Sequence, residues 1–332
     1  MTSIERIGIV GAGAWGTALA AAAARAGRTV TLWAREDDVV ASINGARENA
    51  RFMPGIPLDG AITASRDAAT LGTAELILLA TPAQHLRATV AEFSDHFSSA
   101  AVLVICAKGV ELESGALMSE VVRDVTGDRP LAVLSGPTFA LEVARGLPSA
   151  VTLASEDQAL GEAITAALGG PTFRPYLSDD LIGVQIGGAL KNVMAIAAGI
   201  AIGRGLGENA RAAIMTRGFA EMVRLALAKG ARLETMAGLS GLGDLVLTCS
   251  STQSRNFSLG VALGRGESLG DILAARESVA EGVTSAPAVV ALGKNLALDL
   301  PIAEAVDAVL HQGADIGDTI AALLSRPFRP EF

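Results

Sequence analysis

The sequence predicts two domains: an α/β domain with a mostly parallel, doubly wound sheet over residues 1–180, and an all-helical domain over 181–332. Three observations predict this. Short apolar runs alternate with helical patterns along the first part, which is the signature of a parallel sheet covered by helices on both faces. A glycine turn joins the first run to the first helical stretch. From about residue 181 strand signals stop, and long Ala/Leu/Gly helical runs take over.

Taken in order, residues 7–10 (IGIV) form the first strand, 11–16 (GAGAWG) the turn, and 17–26 an Ala-rich helix that Gly27 stops. Residues 29–33 form the next strand, and 75–80, 102–107, 131–134 and 150–153 are further strands. Helical patterns such as 86–93 and 115–125 lie between them. The second domain reads as helices at 181–202, 208–229, 256–264, 285–297 and 302–312, with a soft boundary near 175–180. A cleft between two such domains is the expected place for a cofactor and substrate.

Composition fits this division. The chain has 332 residues, half of them apolar, so it can build two cores. A net charge of −9 argues against nucleic-acid binding, which needs a basic face. Cys106 and Cys249 lie far apart in no metal-type spacing, which suits a reducing, cytoplasmic setting. Residues 7–24 are apolar and end in an alanine run, but turn-spaced glycines and a neutral Glu5-Arg6 start argue against a signal peptide. The apolar stretch 193–203 is too short to span a bilayer and has Lys191 and Arg204 beside it, so no stable membrane insertion is expected.

Gly11, Gly13 and Gly16 have the G-x-G-x-x-G spacing, after a strand and opening a helix. Gly11 permits the tight turn, Gly13 lets a pyrophosphate approach the backbone, and Gly16 lets helix and strand pack closely. The helix N-terminus then faces the phosphates. This is a Rossmann-like dinucleotide site. The second strand ends in Trp33-Ala34-Arg35-Glu36-Asp37. An NAD site usually places an acid at the strand end, whereas a guanidinium there suits a 2′-phosphate. Arg35 therefore tilts the reading towards NADP(H), with NAD(H) open if Glu36 or Asp37 holds the ribose.

Other residues point to chemistry. The strand at 102–107 delivers Lys108-Gly109 to the ligand edge of the sheet, and 131–134 delivers Ser135-Gly136-Pro137-Thr138-Phe139-Ala140. Lys191 and Asn192 sit inside an otherwise apolar helix, one turn after Gly187 and Gly188, where a lysine must snorkel, pair or work. Asp244 and Thr248 are four apart and share a helical face; a helix-capping role for Asp244 competes with a functional one. Ser254 is a good N-cap, with Arg255 and Asn256 in the first turn behind it, an arrangement suited to phosphate. His85, His96 and His311 are isolated, no metal-ligand cluster is expected, and no Ser–His–Asp set is apparent.

Together and in this order, the segments resemble the NAD(P)-dependent glycerol-3-phosphate dehydrogenases of bacterial type. They are GAGAWGTALA (11–20), AKG (107–109), SGPTFALE (135–142), GALKNVMAIAAGI (188–200), GLGDLVLTC (241–249), SRN (254–256) and VAEGV (279–283), and they run along nearly the whole chain. Related dehydrogenases carry an asparagine four residues after the helical lysine; here Asn192 is adjacent and position 195 is Ala.

The resemblance implies reduction of dihydroxyacetone phosphate to sn-glycerol 3-phosphate, which supplies glycerophospholipid synthesis. It implies Lys191 as proton donor and acceptor, working with Asp244. Lys108, Gly136, Thr138, Lys191, Asp244, Ser254, Arg255 and Asn256 would line the substrate. Gly11, Gly13, Ala14, Trp15, Gly16, Arg35, Lys108, Ala140, Arg255, Val279 and Glu281 would meet the cofactor. Ala14 stands where many relatives carry Ser, which removes a hydroxyl and keeps the backbone donor. The resemblance also implies a helical domain of the 6-phosphogluconate dehydrogenase-like kind and a homodimer. Two alternatives stay open: another 2-hydroxyacid or sugar-nucleotide dehydrogenase on the same scaffold, and a non-catalytic nucleotide sensor. The first has no need of the Ser-Arg-Asn clamp, the second no use for Lys191 with Asp244.

Overall fold

The structure is a computed structural model and describes residues 3–276 and 280–328. Ten strands appear in chain order: β1 Arg6–Val10, β2 Thr29–Trp33, β3 Glu48–Asn49, β4 Met53–Pro57, β5 Ile62–Ser65, β6 Leu76–Leu79, β7 Val102–Ile105, β8 Leu131–Ser135, β9 Ser149–Ala154 and β10 Phe173–Ser178. The helices within this half are α1 Ala14–Arg25, α2 Asp37–Ala41, α3 Leu86–Phe93, α4 Met118–Thr126, α5 Ala140–Ala144 and α6 Gln158–Leu168. From Leu181 onward every described element is helical: α7 Leu181–Gly203, α8 Gly207–Ala228, α9 Leu233–Ala237, α10 Asp244–Cys249, α11 Arg255–Gly264, α12 Leu269–Ala274, α13 Glu281–Asn295, α14 Pro301–His311 and α15 Ile316–Leu324.

Eight strands form one sheet in the order β10-β9-β8-β7-β6-β1-β2-β5. All its pairs are parallel except β8 with β9. β6 (LILL) and β7 (VLVI) are buried at every residue, as a parallel strand covered on both faces must be. From β1 the chain winds outward through β2 to β5, then returns to β6 on the other side. The edge between β1 and β6 is therefore the switch point where ligands bind in open α/β sheets.

β5 and β10 lie outside the strands expected from sequence. β5 (ITAS) is short and half polar. β10 contains Pro175, which lowers any strand reading. Ser155 N donates to Ser178 O, so the even-numbered residues of β10 turn their hydrogen-bonding groups to β9. Pro175 consequently faces away from the sheet, and its missing N–H blunts an open edge.

α7 runs 23 residues, twice the apolar stretch at 193–203, because glycines and Lys191 are accommodated within it. It is long and apolar enough by composition to cross a membrane, yet 83% of its apolar window is buried inside the protein. Its closest neighbour is α11. A Cβ on Gly199 would lie 2.2 Å from Phe257 O, and one on Gly260 would lie 2.2 Å from Ile196 O. The two backbones touch there, with no room for a side chain on either helix. In α13, Pro287 cannot donate to Val283 O, and the His311 ring nitrogen lies 2.8 Å from that carbonyl. His311 thus has a structural role.

Candidate functional site

The glycine turn fits a dinucleotide pyrophosphate. Gly11 has φ +110°, a conformation that favours glycine, and its Cα faces Ala80 at the end of β6. A Cβ at Gly16 would lie 1.8 Å from Gly11 O, so α1 can only approach β1 through a glycine. Gly13 caps α1 with no side chain bonded to the first-turn N–H groups, and a Cβ there would meet nothing within 4 Å. Donors and space are both present for an anion. Trp15 Nε1 and Thr81 Oγ1 are buried beside this turn without a hydrogen-bond partner. Ala14 opens α1, so its backbone N–H belongs to that free first turn.

A residue that sequence reasoning missed holds the turn. Asn49, fully buried on β3, donates to Ala12 O at 2.8 Å and to Thr17 Oγ1 at 2.7 Å. No local pattern marks it, because its partners lie more than thirty residues away.

The second cluster is built from side chains. Lys191 on α7 is 6% exposed and Asp244 at the start of α10 is fully buried. Lys191 Nζ donates to Asp244 Oδ1 at 2.5 Å and to Thr248 Oγ1 at 3.1 Å. Lys108, just beyond β7, donates to Asp244 Oδ2 at 2.8 Å and to Gly136 O at 3.0 Å. One carboxylate therefore bridges two ammonium groups. This answers the capping alternative: Gly243 is the N-cap of α10, and Asp244 spends both oxygens on lysines.

Gly187 and Gly188 do face this cluster, though the space they leave is filled. A Cβ at Gly187 would lie 2.4 Å from Ser240 O, and one at Gly188 would lie 3.3 Å from Lys108 Cγ. The glycines let the 239–243 turn that leads into Asp244, and Lys108 itself, close on α7.

Burial pushes the Lys191 amine down from 10.5 to about 8. Asp244 opposes that shift and Lys108 adds to it. Glu281, at the start of α13, has its carboxyl raised by desolvation against the pull of Arg255, Lys108 and Lys191. It therefore belongs to the same charged neighbourhood. Burial pushes the thiols of Cys106 and Cys249 up to about 12, which keeps both inert.

Ser254 Oγ accepts from Phe257 N at 3.2 Å, the expected cap of α11. Arg255 is exposed at that helix end. Asn256 is 7% exposed and more committed than its sequence position implied. Its Nδ2 donates to Asn192 Oδ1 at 3.0 Å, and its Oδ1 accepts from Gly282 N at 2.9 Å. It ties α7, α11 and α13 together and keeps one amide hydrogen free for a ligand. Gly282 entered the sequence reading only as part of VAEGV (279–283), because it acts through backbone alone.

Thr138 lies on the loop after β8, its hydroxyl donating to Gly136 O, and Ala140 opens α5. A Cβ on Gly109 would come within 2.5 Å of Ala83 and 3.6 Å of Ser285 Oγ, so α13 packs onto the ligand edge of the sheet. Arg35 projects from the end of β2 with its side chain 81% exposed and paired to Glu36. Val279 lies outside the described residues. No group of His, Cys, Asp and Glu among the described residues is placed to hold a metal ion.

A backbone cradle for a dinucleotide at one end and a buried, proton-carrying lysine at the other are the equipment of a nicotinamide-dependent dehydrogenase. Comparison with known proteins narrows that class to one family. Residues 6–161 match the model for the N-terminus of NAD-dependent glycerol-3-phosphate dehydrogenase, and 180–321 the model for its C-terminus. The chain belongs to this family. It is 58% identical over 99% of its length to a glycerol-3-phosphate dehydrogenase [NAD(P)+] of Caulobacter vibrioides, covering 99% of that protein. It is 55% identical to the Parvibaculum lavamentivorans enzyme of the same name, over 98% of each chain. The crystal structure of glycerol-3-phosphate dehydrogenase from Coxiella burnetii superposes with a TM-score of 0.94 at 39% identity, covering 97% of this chain and 99% of that one.

Proposed function

We propose that this protein reduces dihydroxyacetone phosphate to sn-glycerol 3-phosphate with NADH or NADPH, reversibly, and so supplies glycerophospholipid synthesis. The observation that carries this reading is the Lys191–Asp244–Lys108 cluster, buried where the helical half meets the ligand edge of a dinucleotide-binding sheet. Family membership favours it over a 2-hydroxyacid or sugar-nucleotide dehydrogenase and over a nucleotide sensor.

Gly11, Gly13, Ala14, Trp15 and Gly16 would hold the pyrophosphate end of the cofactor. Arg35, Lys108, Ala140, Arg255, Val279 and Glu281 would meet its remainder. When bound, the nicotinamide supplies hydride to C2 of the ketone or takes it from the alcohol. Lys191 Nζ, as ammonium, gives its proton to the ketone oxygen as negative charge grows there. In the oxidative direction the neutral amine takes the proton back. An amine with a pKa of about 8 serves both directions near neutral pH.

Asp244 keeps Lys191 aimed and partly offsets the cost of burying its charge. Lys108 holds the other carboxylate oxygen and Gly136 O, which fixes the floor of the site. Ser254, Arg255 and Asn256 would bind the phosphate at the start of α11, and Thr138 and Gly136 would face the substrate from the β8 loop. Remote binding of the phosphate then orients the carbonyl. These local cations reconcile an anionic substrate with an acidic chain.

We read residues 1–180 as the cofactor domain and 181–332 as the substrate domain. Two buried thiols suit a cytoplasmic setting, and the family resemblance favours a homodimer. A panel of dihydroxyacetone phosphate, 2-ketoacids and sugar nucleotides, run with NADH and NADPH and followed by nicotinamide absorbance, tests the whole reading. Turnover should be confined to the phosphorylated triose; turnover of a ketoacid in its place would refute it.

A further inference from the structure

The end of β2 carries an acidic run, Glu36-Asp37-Asp38, of the kind that holds a ribose diol in NAD sites. Here each of the three acids already faces an arginine. Arg35 pairs with Glu36 at 3.2 Å, Arg66 with Asp37 at 2.6 Å, and Arg51 with Asp38 at 3.7 Å. Arg66 directly follows a different strand, β5, and its position is fixed by backbone. β5 pairs in parallel with β2, with Trp33 opposite Ser65, and Ala34 N donates to Ser65 O at 3.0 Å. Trp33 Nε1 then donates to Arg66 O at 2.8 Å. Arg66 therefore stands abreast of Ala34, one residue short of Arg35, at the carboxyl end of the strand whose end meets the adenosine ribose in this fold class.

We propose that Arg66 and Arg35 form a two-guanidinium clamp for the ribose 2′-phosphate of NADP(H), and that Arg66 is a determinant of cofactor preference. The inference rests on the dinucleotide reading above. Both guanidiniums are largely exposed, with the Arg35 side chain 81% and the Arg66 side chain 53% accessible. Their present ion pairs are surface pairs, which contribute little and exchange readily. A phosphomonoester offers more charge and three acceptor oxygens, so it replaces Glu36 and Asp37 on the two forks. Without it, Glu36 and Asp37 keep their arginine partners, and Asp37 has a second carboxylate oxygen for a ribose hydroxyl. One set of four side chains thus accepts either cofactor, with the arginines weighting the balance.

The test is binding, measured without substrate. The full chain is titrated separately with NADPH and NADH, following quenching of its two tryptophans, Trp15 and Trp33. Arg66→Ala keeps the backbone carbonyl that Trp33 uses, so the fold around β2 is retained. It should weaken NADPH about tenfold, the loss of a charge-assisted contact, while NADH shifts by about twofold or less. Arg35→Ala should act in the same direction, and the double variant should lose any preference for NADPH. NADH affinity serves as the control for folding. If the ratio of the two dissociation constants moves less than about fivefold in Arg66→Ala, the clamp is overturned. If the wild-type chain binds neither cofactor, the dinucleotide reading itself fails, a result distinct from loss of the clamp alone.

Discussion

The glycine turn and the lysine cluster solve opposite problems. The turn is made of six consecutive residues, 11–16, and acts through backbone N–H groups and empty space. The cluster takes Lys108, Gly136, Lys191, Asp244 and Thr248 from four separate segments and acts through buried charge. The difference teaches where each is vulnerable. The turn fails when something is added, because a Cβ at Gly11 or Gly16 has nowhere to go. The cluster fails when something is removed, because a buried charge is left without its partner.

The largest expected effect falls on the cluster. Lys191→Ala should lose roughly 10²-fold or more in turnover, the usual contribution of a positioned acid–base group, while binding NADPH normally. Near-normal turnover would remove Lys191 from the chemistry. Next is the turn. Gly16→Ala forces a methyl group to within 1.8 Å of Gly11 O, so α1 must back away from β1. Cofactor affinity should fall about tenfold or more, with both cofactors affected alike, since the phosphate-facing N–H groups move together. Unchanged affinity would break the contrast between the two regions.

A smaller effect concerns pH. Lys191 must be protonated to drive reduction, so the reductive rate should fall as pH rises through about 8, and the oxidative rate should rise over the same range. Asp244 raises the pKa of Lys191, so Asp244→Asn should move both midpoints to lower pH. Rate profiles of the variant that keep the wild-type midpoint would show that Asp244 does not act through Lys191.

The smallest effect on activity is expected at a buried charge that belongs to neither region. Glu221 on α8 is 1% exposed and accepts from Ile302 N and Ala303 N, so it caps α14. Burial lifts its carboxyl from 4.5 to about 7 despite those donors. A carboxyl with a raised folded pKa contributes stability that is complete below about 4.5 and is lost as pH rises through 7. Wild-type stability relative to Glu221→Gln should therefore decline across that window by about 3 kcal/mol, read by thermal or denaturant unfolding. A difference independent of pH would show that Glu221 titrates alike in the folded and unfolded chain.

Local chemistry made much of the fold legible. The IGIV strand, the alanine helix after the turn, the all-apolar β6 and β7, and the start of α7 each carry a pattern within a single short window. β5 and β10 carry none, because a half-polar ITAS and a strand interrupted by Pro175 gain their place only by pairing with β2 and β9. The site divides the same way. Lys191 stood out as a charge in an apolar helix, and Ser254 as a cap. Asn49 and Arg66 did not, since each works through a partner far along the chain.

The sequence by itself determined the alternating strand–helix order, the glycine turn, the helical second half and the oddity of Lys191, because each depends on the periodicity or sterics of neighbouring residues. Tertiary structure alone decided that Asp244 bridges two lysines instead of capping its helix, that Asn256 is anchored to Asn192 and Gly282, and that Arg66 pairs with Asp37 just beyond the end of β2. The physical reason is common to all three. A side chain's partner is set by which segments the sheet order and the close α7–α11 contact bring together, and no window of sequence contains that information.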